Sequence, residues 1–320
     1  MVSAGSSPNE DAPPVIEARG ITRQYGELTA LDGVSFTVRP GEIYGILGPN
    51  GAGKTTLVEI LEGLNRPTAG DATVLGYDIR TQIGEVKKRV GVQLQASSYH
   101  QYLTLREILE LFGSFYPRSA EAGELLARVH LEDRADARIN QLSGGMKQRF
   151  SIVAALVNEP DLVFFDEPTA GLDPDARRDL WQIVRDVRDS GATVVLTTHY
   201  MEEAEALCDR VQLMHAGKIA AVDTPAGLVR SLHAPYRVRV TTGAALDERA
   251  VAALPGTSEV RHTTEGELHV VELRAQDAPR TVTTLTDLAH DAGTEVIDLA
   301  VLPATLEDVF LSVTGRELSG

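Results

Sequence analysis

The chain has 320 residues, 43% of them hydrophobic, so it can bury a large core and is long enough for two domains. The net charge of −16 argues against nucleic acid or anionic lipid as the main partner, because both attract basic proteins. One cysteine, Cys208, excludes an intramolecular disulfide and indicates a reducing compartment. No apolar run approaches the roughly 20 residues of a membrane helix. Residues 1–14 lack the pattern of a signal peptide and are expected to be a disordered tail.

The first 230 residues alternate strand and helix patterns, which predicts an α/β fold built on a mainly parallel sheet. Residues 15–21 and 34–38 are expected to be antiparallel edge strands of that sheet. The segment GPNGAGKTT, from Gly48 to Thr56, follows a short apolar strand at 43–47 and precedes an apolar-striped helix at 54–64. Strand, glycine-rich turn and helix in this order form a phosphate cradle, in which Lys54 faces phosphates and Thr55 supplies a hydroxyl to Mg²⁺.

Residues 97–141 have helical patterns without a convincing strand, so we expect a helical insert there. It leads into LSGGMKQR, where Ser143 is placed to cap a helix and two glycines expose backbone N–H groups. That helix start would bind a second anion. A single nucleotide cannot easily fill both this site and the phosphate cradle.

The strand at 162–165 ends in Asp166 and Glu167, which lie where a parallel sheet opens its ligand crevice. Asp166 is expected to hold Mg²⁺ through water, and Glu167 to orient or deprotonate the attacking water. Asp173 precedes Pro174, and a role as the N-cap of the following helix accounts for this residue without any catalytic function. His199 follows the strand at 193–197 and can reach a γ-phosphate, although a lone histidine is as often structural.

In order and spacing these segments resemble the ATP-binding cassette family over residues 15–232. The resemblance implies a P-loop NTPase core of RecA type with antiparallel edge strands and a helical subdomain at about 97–158. It also implies a glutamine near Mg²⁺ and the attacking water. Gln93 and Gln95 both lie at the end of a strand expected at 89–94, and the family pattern favours Gln95. The D-loop segment is AGLD where many members have SALD; the serine is missing, but Leu172 and Asp173 remain.

The family implies ATP and Mg²⁺ as cofactors and a head-to-tail dimer of two copies, in which each ATP lies between one copy's phosphate cradle and the other's signature segment. The residues expected to act in hydrolysis are Glu167, His199 and Gln95, and those expected at the metal are Thr55, Gln95 and Asp166. The expected nucleotide-binding residues are Tyr25, which would stack on adenine, with Gly48, Pro49, Asn50, Gly51, Ala52, Gly53, Lys54, Thr55, Thr56, Ser143, Gly144, Gly145 and Asp173.

Residues 236–302 read as strand, helix, strand, strand, helix, strand, which predicts a small ferredoxin-like α+β domain. A terminal helix and tail occupy 303–320, with Thr305 and Asp308 forming a capping box. The segment PATLEDVFLSVTGREL resembles the end of ATPases that serve ABC-2 type drug and antibiotic exporters. It implies separate transmembrane permease subunits and a peripheral position on the cytoplasmic side of the membrane. The alternative is a soluble cassette ATPase whose C-terminal domain senses a small molecule.

Overall fold

The computed structural model describes residues 12–93 and 99–315, which form two compact units, one ending at Pro225 and one beginning at Ala226. The strands of the first unit are β1 (Ile16–Tyr25), β2 (Leu28–Val38), β3 (Ile43–Leu47), β4 (Ala69–Val74), β5 (Tyr77–Asp78), β6 (Val90–Gln93), β7 (Leu162–Asp166), β8 (Thr193–Thr198), β9 (Arg210–His215) and β10 (Lys218–Asp223). Its helices are α1 (Lys54–Leu61), α2 (Ile83–Arg89), α3 (Leu105–Gly113), α4 (Ala122–Ala127), α5 (Gly144–Ala154), α6 (Pro174–Asp189) and α7 (Met201–Leu207).

The first unit is built on a six-stranded sheet with the strand order β10-β9-β3-β8-β7-β6. All neighbouring strands are parallel except β10 and β9. Every residue of β3, β7 and β8 is buried, as expected for parallel strands covered on both faces. The register pairs Leu47 with Thr198 and Asp166 with Thr197, so three strands end at the same level. The segments that follow these strands therefore meet at one edge.

The N-terminal strands correct one expectation. β1 and β2 pair with each other, and β1 also pairs with β4, so they form a separate four-stranded antiparallel sheet in the order β2-β1-β4-β5. They are not edge strands of the parallel sheet. A buried cluster that includes Ile16, Val38, Tyr44 and Leu57 joins this sheet to β3 and α1. The antiparallel sheet therefore shares a core with the strand and helix on either side of the phosphate cradle.

The helix after the cradle is shorter than expected. α1 ends at Leu61, and Gly63 adopts a left-handed φ of +72°, which stops the helix. Leu64 is consequently exposed and not part of the buried stripe. The helical segment expected near 97–158 contains, in its described part, α3, α4 and α5 with two short 3-10 turns at Glu132–Arg134 and Ile139–Gln141.

The second unit contains a four-stranded antiparallel sheet in the order β12-β13-β11-β14. Its elements are α8 (Pro225–Arg230), which starts at the boundary, β11 (Tyr236–Thr242), α9 (Glu248–Ala252), β12 (Thr257–Glu265), β13 (Leu268–Ala275), α10 (Ala278–Asp291), β14 (Val296–Pro303) and α11 (Leu306–Thr314). Within this unit, Ala304 N–H donates to the Pro235 carbonyl at 2.7 Å. The capping box of Thr305 and Asp308 is confirmed.

No helix in residues 12–93 or 99–315 combines the length and apolar character needed to cross a bilayer.

Glu62, at the C-terminal end of α1, is a buried carboxyl whose pKa is strongly raised. Its side chain is only 4% exposed. Burial raises the pKa of Glu62 to about 8, and the neighbouring charges of Asp166 and Glu59 add to the effect. An unfolded glutamate releases its proton near pH 4.3, so between that pH and about 8 the folded state binds more protons than the unfolded state. The free energy of unfolding therefore falls as pH rises through this range.

We predict that Glu62→Gln removes this fall in the free energy of unfolding at high pH, because the amide is neutral at every pH. Each pKa unit corresponds to about 1.4 kcal/mol, so the variant should exceed the wild type in stability at pH 8 by several kcal/mol. Urea unfolding at pH 5 and pH 8 measures the difference. The exposed Glu85→Gln serves as the control and should reproduce the wild-type pH dependence. An identical pH dependence in Glu62→Gln and wild type would contradict the prediction.

Candidate active site

The loop between β3 and α1 is built around glycines that leave no room for a side chain. A Cβ on Gly48 would lie 2.4 Å from the Met214 carbonyl oxygen. Gly53 has a φ of +101°, and a Cβ there would lie 2.6 Å from the Ala30 carbonyl oxygen. Both positions therefore require glycine for space, and Gly53 also requires it for backbone conformation. The first turn of α1 carries no acidic residue, which suits an anion at its N-terminus.

Lys54 is buried at the start of α1 with its ammonium group inside the loop. Its Nζ donates to the carbonyl oxygens of Gly48 at 2.8 Å and Pro49 at 3.3 Å, and lies 3.5 Å from Glu167 Oε1. Burial lowers the pKa of Lys54, and the Glu167 carboxylate opposes that shift. The loop thus keeps a cation in a nearly dry site, where its field on a phosphate is strong.

Asp166, the last residue of β7, is buried and accepts a hydrogen bond from the Thr197 hydroxyl on the neighbouring strand β8. Burial raises the pKa of the Asp166 carboxyl, and the adjacent Glu167 charge raises it further. The bond from Thr197 fixes the carboxyl where the strands end. Asp166 is thereby a preoriented oxygen ligand of the kind that Mg²⁺ accepts.

Glu167 lies between the lysine and the histidine. Its Oε1 is 3.5 Å from Lys54 Nζ and its Oε2 is 3.2 Å from His199 Nδ1. The backbone φ of Glu167 is +49°, a left-handed value that a non-glycine residue rarely adopts and that concentrates at functional sites. Its N–H group donates to the backbone oxygen and the hydroxyl of Thr197, which holds this conformation in place.

A cavity of about 480 Å³ opens beside this cluster. Its wall includes the loop residues and Glu167, and Tyr25 lies at its border. The Tyr25 ring is 43% exposed, carries the Arg23 guanidinium 4.4 Å from its centroid, and accepts a hydrogen bond from the Asn65 amide at its hydroxyl. The ring is thus held in place with surface available for stacking. The expected nucleotide-binding residues that line the cavity are Tyr25, Asn50, Gly51, Ala52, Gly53, Lys54, Thr55 and Thr56.

The signature segment lies apart from this cavity. Ser143 caps α5, its hydroxyl accepting from Met146 N–H at 3.3 Å, and both Ser143 and Gly144 are exposed. Gly145 is next to Leu172 in the D-loop, since a Cβ on it would lie 3.9 Å from a Leu172 methyl carbon. Asp173 is exposed and caps α6 through Asp175 and Ala176 N–H groups. None of these signature or D-loop residues is among those lining the cavity within the described chain.

Only one of the two candidate glutamines lies among the described residues. Gln93 ends β6 and is 2% exposed. Gln95, the residue expected near Mg²⁺ and the attacking water, lies outside the described residues.

Other residues of the site were not predicted from the sequence. Leu28, Thr29, Ala30, Ala216 and Gly217 complete the cavity wall. They carry no distinctive chemistry, and the turn containing Ala216 and Gly217 reaches the site only through the strand order of the sheet. Thr197 belongs to the strand predicted at 193–197, but its bond to Asp166 becomes visible only once β7 and β8 are seen to be neighbours.

Comparison with known proteins agrees with this geometry. The ABC transporter family pattern matches residues 31–170. A Nod factor export ATP-binding protein I from Mesorhizobium japonicum is 38% identical, with 99% of this chain and 92% of the relative covered. The chain belongs to the ATP-binding cassette family. The linearmycin resistance ATP-binding protein LnrL of Bacillus subtilis is 34% identical (95% and 99% covered), and the daunorubicin resistance ATP-binding protein DrrA3 of Streptomyces coeruleorubidus is 37% identical (96% and 98% covered).

Solved cassette structures show the same fold. An ATP-binding subunit of an ABC transporter aligns with a TM-score of 0.61 and 31% identity, covering 68% of this chain and 92% of that one. A dimeric cassette MJ0796 in a post-hydrolysis state with ADP and Pi aligns with a TM-score of 0.60 and 28% identity, covering 65% and 98%. The expected resemblance to exporter ATPases is confirmed, and this cassette protein is an ATPase.

We predict that Glu167→Gln abolishes turnover while preserving ATP binding. The amide keeps the size of the side chain but cannot accept a proton, so hydrolysis should fall by roughly a hundredfold or more. Steady-state phosphate release measures hydrolysis, and equilibrium binding of labelled ATP measures affinity. Glu202→Gln, an exposed neighbour of the site on α7, is the control and should hydrolyse normally. Normal hydrolysis by Glu167→Gln would exclude Glu167 as the base.

Proposed function

We propose that the cassette binds ATP in the cavity beside Lys54 and hydrolyses it with Glu167 as general base and His199 as its partner at the γ-phosphate. The observation that carries this assignment is the position of Glu167, 3.5 Å from the lysine and 3.2 Å from the histidine, at the edge where β3, β7 and β8 end. The lysine attracts the terminal phosphates. The histidine is placed to contact the γ-phosphate and to keep the carboxylate oriented toward water.

The binding roles follow from the loop. Gly48, Pro49 and Asn50 start the turn that leads into α1, and the backbone N–H groups at the start of α1, up to Thr56, are proposed to face phosphates. Tyr25 is proposed to stack on adenine, because its ring is fixed by Arg23 and Asn65 at the border of the cavity. Gln95 is proposed to approach the metal and the attacking water.

The oxygen groups of Thr55 and Asp166 suit Mg²⁺, which prefers oxygen ligands in octahedral geometry and is commonly held by one or two protein ligands with phosphate oxygens. Among the described residues no cluster of three or more acidic, histidine or cysteine side chains could hold a metal alone. That fits an ion that arrives with the nucleotide. Bound there, Mg²⁺ would neutralise charge on the β- and γ-phosphates.

We propose a head-to-tail dimer in which Ser143, Gly144 and Gly145 of one copy complete the other copy's ATP site, with Asp173 near the contact. The signature helix presents an exposed N-terminus away from its own cavity, and a related cassette is dimeric in its post-hydrolysis state. An exposed helix start with a serine cap suits a phosphate brought by a second molecule.

We propose that this dimer drives a separate transmembrane permease from the cytoplasmic face of the membrane. Relatives named for Nod factor export, linearmycin resistance and daunorubicin resistance support export of a drug, antibiotic or lipid-like molecule. The C-terminal unit is proposed to be a ferredoxin-like domain, on the strength of its βαββαβ element order and its sheet order β12-β13-β11-β14.

A complementation experiment tests the shared site. Lys54→Ala destroys one copy's cradle and Ser143→Arg destroys the signature, so each variant alone should be inactive. Mixed chains form heterodimers with one intact site, which takes its cradle from the Ser143→Arg chain and its signature from the Lys54→Ala chain. We predict that mixing restores part of the phosphate release. Recovery in a mixture of the two variants, but in neither alone, supports the proposal, and no recovery at any ratio contradicts it.

The control for this experiment is ATP binding by the separate variants. Ser143→Arg should bind ATP as the wild type does, because Ser143 does not line the cavity of its own chain. Lys54→Ala should bind weakly. Loss of ATP binding in Ser143→Arg would mean that the signature only supports the fold.

A further inference from the structure

Glu203 is a buried acid that the proposed mechanism does not use. It lies in α7, is completely buried, and accepts a hydrogen bond from the Trp181 indole N–H at 3.2 Å. Burial raises the pKa of Glu203, while the hydroxyls of Thr198 and Thr169, the Trp181 indole and the Arg177 charge oppose that shift. A buried carboxyl costs free energy unless it is hydrogen-bonded; here Oε1 accepts from Trp181, and Oε2 has no hydrogen-bond partner among the described residues.

The groups near Glu203 lie on α6 and next to two segments of the proposed active site. Thr198 directly precedes His199, and Thr169 is two residues beyond Glu167. Trp181 lies on α6, the helix that begins at the D-loop cap Asp173. The bond to Trp181 therefore links α7, which starts two residues after His199, to the helix behind the D-loop.

A second set of contacts also joins α6 to the residues that follow β8. The Arg177 guanidinium on α6 lies 4.2 Å from the centroid of the Tyr200 ring, and the centroids of Tyr200 and His199 are 4.0 Å apart. Tyr200 N–H also donates to the Thr198 hydroxyl at 2.9 Å. The histidine ring is thus packed against a side chain that Arg177 of α6 also contacts.

We propose that Glu203 is a positioning residue for ATP hydrolysis: with the Arg177–Tyr200 contact it ties α6 to the end of β8 and keeps His199 within reach of Glu167. The inference rests on the proposed roles of His199 and Glu167. Fold stability alone does not call for a charge at this position, since well-packed apolar residues often replace buried polar groups without loss. Glu203 is not among the residues lining the nucleotide cavity, so it acts through the loops and not on ATP.

The experiment compares kcat and KM for ATP in the full-length chain. Glu203→Ala removes the carboxyl and its bond to Trp181 and should lower kcat by roughly tenfold to a hundredfold, as misplacement of a catalytic group does, with KM unchanged. Glu203→Gln keeps the size and an acceptor for Trp181, and should recover most of kcat. If Glu203→Ala does not fold, Trp181→Phe removes the indole donor alone and should lower kcat by a smaller factor.

Glu42 provides the matched control. It is also a completely buried glutamate, next to the opposite end of β3, where it accepts from Arg39 N–H at 2.7 Å and pairs with Arg210 at 3.2 Å. Glu42→Ala should lower the thermal midpoint as Glu203→Ala does, but leave kcat at the wild-type value. Equal losses of kcat in both variants, or a wild-type kcat in Glu203→Ala, would overturn the proposal.

His199→Ala separates failure of the inference from failure of the proposed function. If His199→Ala hydrolyses ATP normally, the assigned role of the histidine is wrong. If His199→Ala is inactive and Glu203→Ala is normal, only the positioning role fails. If Glu203→Ala and His199→Ala each lower kcat strongly, and the double variant is no slower than His199→Ala alone, then Glu203 acts through His199.

Discussion

The active site depends on the parallel register of β3, β8 and β7. Leu47, Thr198 and Asp166 end their strands at one level, so the three following segments start side by side. Each segment then supplies one group: the ammonium of Lys54, the carboxylate of Glu167 and the imidazole of His199. A register slip of one residue would reverse which face each side chain points to. The hydrogen bonds between buried strands are therefore what sets the distances in the catalytic cluster.

The same burial that fixes these strands makes their charges interdependent. Lys54 is held by two loop carbonyls and one carboxylate, while Asp166 is held by a hydroxyl. The carbonyl oxygens that Lys54 contacts belong to the loop itself, so phosphate oxygens can take their place without any change of fold. Glu167 is held by Thr197 in a left-handed conformation that has a cost, and the surrounding sheet supplies the free energy that keeps it there. The site is thus prepared for an anion before one binds.

Local patterns in the sequence predicted much of this arrangement. The strands at 43–47 and 210–215, the caps at Ser143, Asp173 and Thr305, and the glycines of the cradle all follow from residues near each other in the chain. Partners that are distant in the chain were not predictable in the same way. The separate antiparallel sheet, the bond from Thr197 to Asp166 and the contact of Trp181 with Glu203 depend on which strands and helices become neighbours. Periodicity shows that a face is buried, but not what it is buried against.

If two copies form the proposed head-to-tail dimer, the separation between cradle and signature within one chain lets ATP act as a switch. A serine hydroxyl that accepts a capping bond can still donate one, so Ser143 can cap α5 and contact a phosphate at the same time. In the proposed dimer, that second bond would form only when another copy brings its nucleotide to the exposed helix start. ATP would then stabilise the closed dimer over the open one by contacts that exist in one state alone, which is the condition for any ligand to shift a conformational equilibrium. Loss of the γ-phosphate would remove those contacts. On this proposal, hydrolysis at Glu167 reopens the dimer, and the position of His199 at that carboxylate sets the rate of reopening.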